Sequence, residues 1–257
     1  MEDLHVAVVM PAYDEEAIGD YVDAVCDEMV AHVGRLSVVV VDDASPTPVT
    51  QSLSTRRDCS VRVLRHLGNL GHGPSVLDAY RAGVDTGADV VVHVDGDGQV
   101  DPASVVGLAR VASERGIAIG QRAGRRDPWF RRVLTCAAGR CLAGRGRLRD
   151  SNCPARAFRS APLRLVLAHL PERALVPHLL MNVVLADLDL PLRTLTIQDR
   201  PRRGTTVVGT TWRSRRLRAL PPAGLAGFAA RACLEVATFR AQGPVRADTR
   251  SATQLVT

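Results

Sequence analysis

The densest chemistry in the chain lies in Asp95-Gly96-Asp97-Gly98-Gln99-Val100-Asp101-Pro102. Two carboxylates one residue apart, a side-chain amide and a further acid supply the hard oxygen donors that Mg2+ or Mn2+ prefers, and diphosphate oxygens and water can complete an octahedron. An EF-hand loop does not fit, because its spaced acids and terminal glutamate are missing. Three other strings stand out. Pro11-Ala12-Tyr13-Asp14-Glu15-Glu16 offers a ring and carboxylates that can face a base and ribose, or equally a plain strand-to-helix turn whose acids suit the helix dipole. Val41-Asp42-Asp43-Ala44-Ser45-Pro46-Thr47 pairs two acids, and Asn69-Leu70-Gly71-His72-Gly73-Pro74 is a glycine-rich turn whose amides can meet an anion, or a simple turn.

Each string closes or opens a regular element. Val-rich apolar runs at His5 to Met10, Leu36 to Val41, Val61 to Leu64 and Ala88 to Val94 read as buried strands, and a fifth short one follows at Ile117 to Gly120. Helical patterns lie between them, near Asp14 to His32, Val49 to Arg56 and Gly73 to Asp85, with another after Pro102. Strand and helix in alternation predict an α/β domain with a mainly parallel sheet, whose ligands bind at the carboxyl edge of the strands. Asp43 and Asp95 fall at that edge. No G-x-G-x-x-G follows the first strand, so a dinucleotide-type phosphate turn is absent there. Beyond Gln121 the pattern changes to an arginine-rich loop, a helix over Pro128 to Gly146, a polar break containing Asp150, more helix, and a strand at Leu192 to Gln198. Leu225, Phe228, Ala229, Ala232, Val236 and Phe239 recur at helical spacing near the C-terminus.

Composition limits the classes open to the chain. With 257 residues, 46% of them apolar and 23% charged, it suits one sizeable core. All 33 basic residues are arginine, which excludes a lysine Schiff base and a P-loop lysine. Residues 1 to 120 carry 19 acids against 8 arginines, and residues 121 to 257 carry 8 against 25. The first half favours cations and the second favours anions. Six cysteines form no C-x-x-C pair and read as reduced packing residues. No apolar run approaches the roughly 18 to 20 residues that span a bilayer, and Glu2 and Asp3 do not resemble a signal region, so a cytoplasmic location is expected. In the helix over Pro128 to Gly146, Trp129, Phe130, Val133, Leu134, Ala137 and Cys141 share one face. Such a helix can lie on the inner face of a membrane or pack on its own core.

Taken together and in order, PAYDEE, VVDDASP, NLGHGPS and DGDGQVDP resemble the signature of family-2 glycosyltransferases, which have a GT-A fold, over residues 5 to 210. The dolichol- or polyprenyl-phosphate mannose synthase branch is the nearest likeness: its DxDxQxDP pattern is matched by Asp95, Asp97, Gln99, Asp101 and Pro102. Its GSR element is echoed by Gly120-Gln121-Arg122, its paired arginines by Arg131 and Arg132, and its DxxSGFRxFR by the run from Asp150 to Arg159. In that run Cys153-Pro154 stands for Ser-Gly and Ala155 for an aromatic. A late RxxGxS-like segment appears as Arg200-Pro201-Arg202-Arg203-Gly204-Thr205-Thr206. The QxxRW element of processive synthases is absent, as are their membrane helices, so one sugar per acceptor is implied.

The resemblance implies a metal-dependent, inverting, non-processive hexosyltransferase with a Rossmann-like nucleotide-sugar half over 1–120, an acceptor half over 121–212, a helical extension over 213–243 and a tail over 244–257. It implies Mg2+ or Mn2+ on Asp95, Asp97 and Gln99. A GDP- or UDP-linked sugar would be held by Pro11, Ala12, Tyr13, Glu15, Asp43, Gly71, Asp95 and Gly96, with Arg202 and Arg203 on its diphosphate. Arg122, Arg131, Arg132 and Asp150 would meet the acceptor, and Asp97, Asp150 and Arg122 would take part in the chemistry. The expected acceptor is a polyprenyl phosphate; the alternative is a hydroxyl on a small molecule or glycan, which needs a general base. Asp150 then serves as that base, or else as a structural partner of nearby arginines. A nucleic-acid or membrane-binding module has little support from 4% aromatics, and no nucleic-acid partner is expected.

Overall fold

The computed structural model describes residues 1–123, 148, 150–198, 200 and 223–246. Its first strand, β1 (His5–Ala12), leads through α1 (Ile18–Met29) to β2 (Arg35–Asp42), then through one 3-10 turn to β3 (Ser60–Arg65). Helix α2 (His72–Asp85), β4 (Val90–His93), α3 (Pro102–Arg115) and β5 (Ile117–Ala123) complete the first half. Strand β6 (Arg156–Arg159), α4 (Ser160–Ala168), α5 (Pro177–Asp187), β7 (Arg193–Gln198) and α6 (Ala223–Ala241) follow.

The seven strands form one sheet in the order β3-β2-β1-β4-β6-β5-β7, and only β6 runs antiparallel to its neighbours. The valine-rich strands β1, β2 and β4 are buried on both faces because helices cover both, whereas β3, also expected to be buried, lies at the sheet edge and is only partly covered. Val6, Val8, Met10, Val38, Val40, Val90 and Val92 face α1 and α3, while Ala7, Val9, Val39, Val41 and Val91 face α2, α4, α5 and α6. Alternate residues of each strand thus serve two separate cores. The strand order reverses around β1, which pairs with β2 on one side and β4 on the other, so the carboxyl ends of these three strands flank the crevice where such sheets bind ligands.

Two expectations change. The helix expected over Val49 to Arg56 shrinks to a single turn, Val49–Gln51, in a segment that opens with Pro46 and Pro48. The backbone N–H of Val49 is held by Asp42 instead of continuing a helix. Residues 156–159, not anticipated as a strand, enter the sheet between β4 and β5. Their sequence, Arg-Ala-Phe-Arg, lacks the β-branched run that marks the other strands, and the strand is set instead by the burial of Ala157 and Phe158 on opposite faces. The C-terminal helix forms as expected. Ala232, Val236 and Phe239 enter the core, and Glu235 accepts hydrogen bonds from the amides of Leu175 and Val176 ahead of α5. No helix among the described residues is long and apolar enough to cross a membrane.

Candidate functional site

Strand pairing draws the predicted residues of the first half to one edge. Ala12 lies in register with Asp42, the amide of Asp43 donates to the Ala12 carbonyl at 2.9 Å, and the amide of Gly96 donates to Pro11 at 3.2 Å. A Cβ on Gly96 would stand 2.8 Å from Ile18 Cδ1 and 3.1 Å from the Pro11 carbonyl, so the turn after β4 lies flat on the end of β1 only as glycine. Tyr13 and Glu15 stand half-buried just past that end. Asp14 and Ala44 adopt left-handed backbone (φ 53° and 60°), and the Asp14 amide donates to Ser45 Oγ at 3.0 Å, which ties the two turns together.

The paired acids after β2 are buried and occupied. Asp42 accepts from the amides of Ser45 and Val49 and from Arg65. Burial alone would raise its carboxyl, but the bonds from Ser45, Val49 and Arg65 outweigh burial and hold it below the ordinary carboxylate range. Asp43 Oδ1 accepts from His66 Nδ1 and the Leu70 amide, each at 2.8 Å, and Oδ2 from the Gly71 amide at 2.9 Å. The geometry therefore makes Asp43 the anchor of the turn that carries Gly71. That glycine needs its freedom (φ 92°), and Gly73 beyond it lies against backbone, a Cβ there falling 2.1 Å from the Ala174 carbonyl. His66 and Arg65, which complete this arrangement, were missed from the sequence; only their position at the end of a strand distinguished them.

Past β4 the acids are arranged differently. Asp95 Oδ1 is buried and has no hydrogen-bond partner among the described residues, with His72 Nε2 3.9 Å away. Asp97 Oδ1 accepts from the Gln99 amide at 3.1 Å. No three His, Cys, Asp or Glu side chains among the described residues converge on a metal by themselves. An orphaned carboxylate oxygen beside a second carboxylate fits a hard cation that shares its remaining positions with substrate phosphate and water. Gln99 Nε2 and Asp101 both engage Arg200, the latter at 2.7 Å, so the late arginine segment begins beside this turn. Arg202 and Arg203 lie outside the described residues, as do Arg131, Arg132, Trp129, Phe130 and the helix expected around them.

Across β6 the acceptor-side candidates meet. Arg122 grips Asp150 with two bonds, Nε to Oδ2 at 2.7 Å and Nη2 to Oδ1 at 3.2 Å, and Asp150 is 4% exposed. Gln121 Oε1 accepts the Asp150 amide. Behind them lies a buried polar cluster that the sequence did not reveal: Tyr80, His93, Arg156, His178 and Asn182. The rings of Tyr80 and His93 stack at 4.8 Å, and His178 meets His93 edge-on at 4.9 Å. Burial pushes the His93 imidazole down to about 4, drives His178 well below its ordinary value, and lowers the Arg156 guanidinium. Burial also raises the Cys153 thiol to about 12, in keeping with a packing role.

The family model of glycosyl transferase family 2 matches residues 7–165. Over 180 residues the chain is 29% identical to an undecaprenyl-phosphate mannosyltransferase of Micrococcus luteus, covering 63% of this chain and 70% of that protein. It is 26% identical over 171 residues to an undecaprenyl-phosphate 4-deoxy-4-formamido-L-arabinose transferase of Serratia proteamaculans, covering 60% of this chain and about half, 48%, of that one. Among solved structures, glucosyl-3-phosphoglycerate synthase from Mycobacterium tuberculosis, in complex with Mn2+, uridine diphosphate and phosphoglyceric acid, superposes with a TM-score of 0.59 at 17% identity. The match covers 92% of this chain and 78% of that one.

Proposed function

The chain belongs to glycosyl transferase family 2 and is a glycosyltransferase with a GT-A-type fold, and from that premise we propose that it transfers one sugar from a nucleotide-diphosphate sugar to a polyprenyl phosphate with inversion. The relatives named for undecaprenyl-phosphate transfer support the acceptor class. In this reading Pro11, Ala12, Tyr13, Glu15 and Gly96 line the nucleoside end of the crevice. Asp43 acts on the donor indirectly, by fixing the Gly71 turn. Asp95, Asp97 and Gln99 hold Mg2+ or Mn2+, which when bound neutralises charge on the leaving diphosphate as a Lewis acid. Arg202 and Arg203 bind the same diphosphate as it departs.

The observation that carries the acceptor assignment is the Arg122–Asp150 pair. A hydroxyl acceptor needs a base that takes its proton, whereas Asp150 spends both oxygens on one guanidinium in a buried setting. A phosphate oxygen is already anionic and needs only a cation to orient it. Arg122, aimed by Asp150, with Arg131 and Arg132 joining it, supplies that attraction and places the phosphate oxygen opposite the leaving diphosphate for in-line attack on the anomeric carbon. The C–O bond to the diphosphate breaks as the new one forms, and no proton moves. Mass-identified products from GDP- and UDP-sugars, with Mg2+ or Mn2+ and with polyprenyl phosphate or hydroxyl acceptors, test this. Glycosylated polyprenyl phosphate is expected; transfer to hydroxyls alone overturns the assignment.

A further inference from the structure

The loop from Asp150 to Ala155 turns its carbonyl groups inward, and each of several meets a buried donor. Ser151 O accepts from Arg156 Nη2 at 2.8 Å and Asn182 Nδ2 at 2.7 Å. Cys153 O accepts from Arg156 Nε at 2.9 Å, Pro154 O from His93 Nδ1 at 2.8 Å, and Ala155 O from the Gly120 amide at 2.8 Å. Arg156 Nη1 then donates to Asn182 Oδ1 at 2.7 Å. The donors come from β4, β5, β6 and α5.

Arg156 is fully buried, and its guanidinium donates to three neutral acceptors, the carbonyls of Ser151 and Cys153 and the amide oxygen of Asn182. A guanidinium in such a place is electrostatically unfavourable, and an apolar side chain would serve packing alone. What only the guanidinium supplies is a rigid fork of donors that reaches two loop carbonyls and an amide oxygen at once. Asn182 completes it, since its amide accepts from Arg156 and donates to Ser151.

We propose that Arg156 and Asn182 are positioning residues that clamp the 151–153 backbone and thereby aim the Asp150 carboxylate at Arg122, setting the acceptor-side guanidinium for the reaction. The acceptor side of this statement rests on the function proposed above; the clamp itself does not.

Asn182→Asp in the full chain separates the two. The variant keeps the shape of the side chain and an acceptor for Arg156 but loses the N–H that meets Ser151 O. Amide hydrogen exchange is expected to quicken at least tenfold at residues 150–153 and to stay unchanged in β1 and β2. The Kd for uridine or guanosine diphosphate with Mn2+ should stay within twofold, and KM for the acceptor that the wild type uses should rise at least tenfold. Arg156→Lys, which keeps the cation but not the fork, should show the same pattern. Unchanged exchange at 150–153 in both variants overturns the clamp whatever the acceptor is. Faster exchange with unaltered acceptor KM and kcat overturns its role in positioning, and so does a uniform rise in exchange throughout the sheet, the mark of a merely structural residue. Wild-type inactivity toward polyprenyl phosphate overturns only the acceptor assignment, and KM is then read with the hydroxyl acceptor.

Discussion

The two sides of the crevice organise their loops with opposite chemistry. On the donor side, carboxylates gather backbone amides: Asp42 takes those of Ser45 and Val49, and Asp43 those of Leu70 and Gly71. On the acceptor side, a guanidinium gathers backbone carbonyls: Arg156 takes those of Ser151 and Cys153. The surplus of acids before residue 120 and of arginines after it therefore has in part an architectural role. Asp95 stands apart from both sets, because its buried oxygen has no hydrogen-bond partner among the described residues.

That exception gives the largest expected effect. If Asp95 and Asp97 serve a cation and the other donor-side acids serve the fold, Asp97→Asn should lower turnover by about a hundredfold or more, with the fold intact and the thermal midpoint little moved. Excess chelator should abolish wild-type activity, with recovery on adding Mn2+ or Mg2+. Full activity in chelator would place Asp97 with Asp42 and Asp43 as a loop anchor.

Acid should act where the two sides meet. His93 ends β4 on the donor side and donates to Pro154 on the acceptor loop. Its folded-state pKa, lowered by burial to about 4, lies under the ordinary 6.5. The unfolded chain therefore binds a proton first as pH falls, so this contribution is whole above about pH 6.5 and is lost progressively toward pH 4, by about 3 kcal/mol. His178 shifts in the same direction and adds to the loss. Denaturant titrations at pH 7 and pH 4.5 should show the fall. His93→Gln, which keeps a donor for Pro154 but cannot ionise, should flatten it; an equal slope in the variant would assign the acid sensitivity elsewhere.

Asp43→Asn tests whether the donor-side anchors act locally. The amide keeps one acceptor oxygen for the three donors now served by two, and the change should reduce stability by roughly 2 kcal/mol. Affinity for the nucleoside diphosphate should fall about tenfold as the Gly71 turn loosens, while acceptor KM holds. A matching rise in acceptor KM would show that the two sides are one cooperative unit.

The donor side was legible in the sequence and the acceptor side largely was not, for a physical reason. Val-rich strands and the short acid-bearing turns after them are local patterns, so strand ends such as Val41-Asp42-Asp43 and Val94-Asp95-Gly96-Asp97 could be placed at one sheet edge without coordinates. What could not be read was which acids face inward: Asp42 and Asp43 look alike in the sequence to Asp95 and Asp97, and only the positions of Arg65, His66 and the Gly71 turn separate them. On the acceptor side, β6 is four residues long and contains two arginines, which in isolation read as surface charge. Arg156 is buried because β4 and β5 enclose it and Asn182, 26 residues away, meets it. Such pairings have no local signature.

The smallest effect concerns strain at the donor edge. Ala44 occupies the left-handed region (φ 60°) directly after the paired acids, where a side chain with a Cβ is disfavoured by roughly 1 kcal/mol. Its amide donates to the Asp42 carbonyl at 2.9 Å, and the next amide, of Ser45, donates to the Asp42 carboxylate at 2.8 Å. The conformation is thus imposed by the acid that organises the turn. Glycine would adopt it without penalty but would gain freedom in the unfolded chain, and the two terms oppose each other. Ala44→Gly should therefore change stability by less than about 1 kcal/mol in wild type, with nucleotide affinity unchanged. In an Asp42→Asn background, where fewer bonds enforce the turn, relief of the strain should matter less because the backbone is free to leave the left-handed region. A double-mutant cycle by denaturant unfolding reads that coupling. Strict additivity would show that Ala44 is held by something other than Asp42, and the contrast between the anchoring acids and the unpartnered Asp95 oxygen would lose its best-placed witness.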